Sequence, residues 1–129
     1  MPAIEPFMTP QILLADENLE YYFDEGCFIL ELSNQTADPA VSIARAKVKP
    51  GVTTQWHILT TSVERYIVLA GEGLVEIGDL PPQLLKPGDV AIIPAQCRQR
   101  ITNTSSVDLV FLAICTPRFT PECYQMVSD

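Results

Sequence analysis

Two residues seven positions apart carry most of the chemistry this sequence offers: His57, the only histidine, and Glu64. Both lie in QWHILTTSVERY, residues 55–66. An imidazole and a carboxylate brought together can hold a divalent metal, hydrogen-bond each other in a closed network, or pass a proton. Which of these they do depends on the elements that position them.

Those elements read as strands. CFILELS, VSIARAKV, TTQWHIL, ERYIVLA, GLVEIGD, DVAIIP, RQRITN and DLVFLAIC are short, rich in β-branched and aromatic residues, and separated by Pro, Gly, Asn and Asp. Regular short strands with turn chemistry between them predict an all-β sandwich or barrel. Helix is expected nowhere beyond a turn around residues 15–20. A chain of 129 residues makes one domain with a real core. The expected organisation is an N-terminal arm over 1–11, where Pro2, Pro6 and Pro10 cannot enter a central strand, a barrel over 12–119, and a tail over 120–129 that folds back through Phe119 and Tyr124.

Side chains alternate faces along a strand. Gln55, His57 and Leu59 therefore point one way, Glu64 and Tyr66 share a face of the next strand, and Gln99 and Asn103 share a face of a third. If these faces line the barrel, Gln55, His57, Glu64, Tyr66 and Gln99 form a polar island among Val, Ile and Leu. A buried carboxylate without a partner costs several kcal/mol, so a cation, a proton or an imidazole must answer Glu64.

Composition excludes other classes of function. Lys and Arg total 8 against 16 Asp and Glu, a net charge of −8, and no basic face suited to nucleic acid is apparent. The apolar runs are strand-sized and too short to span a membrane. The N-terminus has acids and prolines where a secretion signal would have a basic and then an apolar segment, which predicts a cytoplasmic protein. Cys27, Cys97, Cys115 and Cys123 show no paired C-x-x-C spacing and are expected as free thiols.

The spacing of Gly51, His57, Leu59, Glu64 and Gly71 resembles the first motif of the cupin superfamily, and that of Gly88, Pro94, Gln96, Gln99 and Asn103 resembles the second. The resemblance implies a single jelly-roll, or double-stranded β-helix, barrel of the small one-domain type. In metal-bearing cupins these motifs supply three histidines and a glutamate. Here Leu59 and Gln99 stand at two of the histidine positions, and Gln96 replaces a glycine. Two readings follow. In one, a divalent transition metal (iron, manganese, nickel or zinc) is held by His57, Glu64 and Gln99. In the other the barrel holds no metal, and the same residues close a hydrogen-bonded network.

The expected function is binding of a small polar metabolite in the barrel, as an oxygenase, isomerase or lyase. His57, Glu64 and Tyr66 are the catalytic candidates, and Gln55, Tyr66 and Gln99 the ligand-binding ones. The alternative is a non-catalytic, metal-free binding or sensor module. Trp56, Ile58, Ile67 and Leu69 face outward in the same alternation and predict a homodimer interface.

Overall fold

The computed structural model describes residues 8–128, whose strands form two antiparallel sheets facing each other as a jelly-roll barrel. One sheet runs in the order β1 (Tyr21–Phe23), β2 (Cys27–Ser33), β3 (Ser42–Val48), β10 (Leu109–Thr116), β5 (Val63–Ala70) and β8 (Val90–Ile93). The other is β11 (Tyr124–Met126), β4 (His57–Leu59), β9 (Gln99–Asn103), β6 (Gly73–Ile77) and β7 (Gln83–Leu85). β10 lies between β3 and β5, so residues far apart in sequence close the barrel. No helix among the described residues is long and apolar enough to cross a membrane.

Inward-facing residues of both sheets make the core, with Val48, Val68, Ile93, Ile101 and Leu109 each no more than 1% exposed. The alternation is plainest in β6 and β9, where every second residue is buried. CFILELS is β2, residue for residue. TTQWHIL departs most from expectation, because regular pairing begins only at His57. Before it the chain bridges β9 once, at Thr53 and Thr102, and then leaves, since the backbone N–H of Gln55 donates to the Glu25 carbonyl at 2.7 Å. β1, β7 and β11 stand apart from the eight expected runs. Each is three residues long at the end of a sheet, too short to show a period.

The segment before β1 lies along the outer face of β3. A 3-10 turn at Glu17–Leu19, capped by Asp16, brings Glu17 and Glu20 to Arg45 at 2.6 and 2.9 Å. Part of the expected arm, residues 1–7, lies outside the described residues. The residues expected to share one interface are divided between the sheets. Trp56 and Ile58 belong to the β4 side, and Ile67 and Leu69 to β5 in the other sheet. Trp56 is covered from within the chain, with the Arg98 and Arg100 guanidiniums 3.9 and 4.2 Å from its ring centre. The exposed apolar side chains on the β5 side are Leu69, Val90 and Ile92.

Asn103 ties the ends of three segments together. Buried at 1% exposure, it donates from Nδ2 to the carbonyls of Val48 and Val107, both at 2.8 Å, while its Oδ1 accepts from the backbone N–H and hydroxyl of Ser105. Asn103→Ala removes the amide from the buried Val48 carbonyl and unties Ser105, and should cost about 2–3 kcal/mol in urea unfolding. A loss below about 0.5 kcal/mol would mean that water replaces the amide.

Candidate functional site: two carboxylates on one cavity

β4 and β9 place His57 opposite Gln99, and β5 turns Glu64 and Tyr66 into the barrel from the facing sheet. Gln99 joins the two sheets. Its Oε1 accepts from the Tyr66 hydroxyl, and its Nε2 donates to Glu64 Oε1 at 3.0 Å. The other Glu64 oxygen, Oε2, lies 3.6 Å from the Cys115 thiol. Glu64 is 8% exposed, and burial, with the charge of Glu25 second, raises its pKa to about 7. His57, Gln99 and Cys115 oppose that rise without cancelling it. Burial also raises the Tyr66 hydroxyl and the Cys115 thiol, with Glu64 as the next cause for each, so both stay protonated.

His57 turns toward a different carboxylate. Its Nδ1–H donates to the Gln55 carbonyl at 2.7 Å, and Nε2 faces Glu25 Oε2 at 3.4 Å. Its ring stacks on Tyr124, with centroids 5.0 Å apart and planes at 25°. Tyr124 belongs to β11, which pairs with β4, so the tail forms one wall of the histidine site. Glu25 sits in the turn between β1 and β2. Gly26, at φ 110°, lets that turn pack against residues 52–54, and the Gln55 bond locks it there. The Cys27 thiol donates to Glu25 Oε1 at 2.9 Å.

Glu25 and Glu64 line one cavity of about 60 Å³, together with Tyr21, Phe23, Ser42, Ala113 and Phe119. It opens, past Glu31, into a wider cleft of about 510 Å³ bounded by Asn34, Arg118, Pro121 and Tyr124. Of the residues marked by the sequence, the structure brings Glu64, Tyr66 and Gln99 into one hydrogen-bonded chain. His57 is 2% exposed and stands behind Glu25 rather than on the cavity wall. The Gln55 side chain is exposed, and the residue contributes its backbone carbonyl. Glu25 has no place in the motif spacing, and its signal was the Asp-Glu-Gly run between two apolar stretches, which marks a hairpin tip.

As a metal site, this donor set does not fit. Leu59 is buried in an apolar cluster with Cys115 and Cys123, and both ends of the Gln99 amide are committed. Among the described residues, no three His, Cys, Asp or Glu side chains gather as ligands. Gln96 takes the left-handed backbone that favours glycine, at φ 68°, with its amide donating to the Thr60 carbonyl at 3.0 Å.

The chain is 32% identical over 109 residues to an uncharacterized protein of Methanocaldococcus jannaschii, covering 83% of this chain and 86% of that protein. In structure it is similar to a protein of Thermotoga maritima described as a predicted oxalate decarboxylase, with 24% identity, a TM-score of 0.73, and coverage of 83% and 99% of the two chains. It is also similar to a Streptomyces nucleoside dehydratase, at 16% identity and a TM-score of 0.74 over 92% of each chain. A Cupin domain model matches residues 44–115, and with that match the chain belongs to the cupin family.

Proposed function

We propose that the barrel binds a small polar metabolite between Glu25 and Glu64 and works on it by acid–base chemistry that draws on no metal. The observation that carries this reading is the shared cavity: two carboxylates reach it, and each is held from behind by its own support. Environments that set two carboxylates apart are how a site divides the roles of acid and base. Glu64, with a pKa near 7, keeps a proton it can deliver to a departing or developing oxygen. Glu25, facing His57, is the base that removes a proton from the substrate. His57 positions Glu25, while Gln99 and Tyr66 orient Glu64. The reaction class is a lyase or isomerase, and the likeness to a dehydratase supports it.

The test is a stabilisation screen of hydroxylated metabolites and amines, followed by proton NMR of each hit in D2O after chelator treatment. A substrate should lose a C–H signal to deuterium in the treated wild type, and Glu25→Gln and Glu64→Gln should each slow that exchange about 100-fold or more. A hit that binds but exchanges nothing would indicate a binding module. Exchange that is abolished by the chelator and restored by added metal would return the site to metal chemistry.

A further inference from the structure

The cavity is rich in acceptors and poor in donors. Glu25 and Glu64 line its inner wall, and Glu31 stands where it meets the outer cleft. The donors nearby are already spent on these acids: the thiols of Cys27 and Cys115 point at Glu25 and Glu64. The Ser42 hydroxyl accepts from the Phe119 backbone N–H at 2.8 Å and is hydrogen-bonded to the Cys115 sulfur. Glu64 is 8% exposed, and apart from that thiol 3.6 Å away its Oε2 has no partner among the described residues. The remaining walls are aromatic or aliphatic, with Phe23, Phe119 and Ala113 inside, Tyr21 along both spaces with its hydroxyl bonded to Glu31, and Tyr124 in the outer cleft with its hydroxyl toward Glu25. Among the described residues Arg118 is the one cation lining the cleft, and its Nε donates to Asn34 Oδ1 at 2.8 Å.

We infer that this cavity selects a small organic cation, an ammonium group seated between Glu25 and Glu64 with its carbon chain running out past Glu31 along Phe23 and Tyr124. The inference rests on the reading of the cavity as the binding site and adds the class of ligand. An ammonium brings donors and no acceptor, which matches walls that offer acceptors and few free donors. Its charge offsets Glu25 inside and Glu31 at the mouth, and aromatic faces attract it further. A carboxylate or phosphate ligand would bring like charge into the same space. A neutral alcohol brings one donor and no charge.

Three probes of nearly equal size separate these cases: propylammonium, propan-1-ol and propionate, each titrated into the ¹⁵N-labelled full chain. Propylammonium should shift the amides of Glu25, Ser42, Ala113 and Cys115 and bind at least tenfold more tightly than propan-1-ol, and propionate should leave them unmoved. Glu25→Gln, and Glu31→Gln at the exposed mouth where folding is not at stake, should each weaken propylammonium threefold or more without weakening propan-1-ol. Equal or tighter binding of propan-1-ol or propionate at these amides overturns the choice of a cation and leaves the cavity as a site. If none of the three moves these amides, the cation proposal and the reading of the cavity fall together.

Discussion

Glu64→Gln should make the protein more stable above neutral pH, by about 3 kcal/mol. The carboxyl is raised from its ordinary value of 4.5 to about 7, chiefly by burial. One pKa unit corresponds to about 1.4 kcal/mol, so carrying the ionised form inside the barrel costs roughly 3 kcal/mol once pH exceeds both values. Between pH about 4.5 and 7 the folded chain keeps a proton that the unfolded chain has released, so stability falls as pH rises through that window. Below it both states are protonated and the cost is absent. The amide is isosteric and neutral, and it still accepts from Gln99 Nε2. Melting curves of wild type and variant should therefore coincide near pH 4 and separate by on the order of 10 °C at pH 8.5. If the two stay together at pH 8.5, Glu64 ionises inside the barrel at no cost and the acid role proposed for it is lost. A group that costs the fold this much at working pH is better explained by chemistry than by packing, because a neutral side chain of the same shape would serve the core better.

The strands were legible because one face of each is buried. Alternation in GLVEI and QRITN matches the burial pattern of β6 and β9, and it correctly turned Glu64, Tyr66 and Gln99 inward. The same rule misplaced the Gln55 side chain, since alternation holds only while a strand stays in its ladder. Here Gln55 has already left it, its N–H donating to Glu25. The partner of His57 was not legible for a related reason. Motif spacing pairs His57 with Glu64, whereas Glu25 arrives from a hairpin turn 32 residues earlier, carried there by tertiary packing. Outward faces were read correctly strand by strand, but the sequence did not say which strands share a sheet. Trp56 and Leu69 were therefore joined in one expected patch although β4, which Trp56 precedes, and β5, which carries Leu69, lie in opposite sheets.

Gly71→Ala should cost more than about 3 kcal/mol in urea unfolding. Gly71 lies in the turn between β5 and β6 at φ 75°, where an L side chain meets its own carbonyl at a cost of roughly 1–2 kcal/mol. The second cost is steric. A Cβ there would lie 2.6 Å from the Asp108 carbonyl oxygen and 3.0 Å from the Leu109 Cα, both backbone atoms at the entry to β10. That strand cannot give way easily, since it pairs with β3 on one side and β5 on the other. Gly51 separates the two costs. It has nearly the same φ, 78°, and nothing within 4 Å of the position a Cβ would take, so Gly51→Ala should lose only the backbone share, about 1–2 kcal/mol. Urea denaturation of the two variants side by side should show Gly71→Ala worse by at least 1.5 kcal/mol, a margin typical of overpacking against atoms that cannot move. Equal losses would mean that the turn shifts as a body, and that the approach of residue 108 to Gly71 is not what closes this end of the barrel.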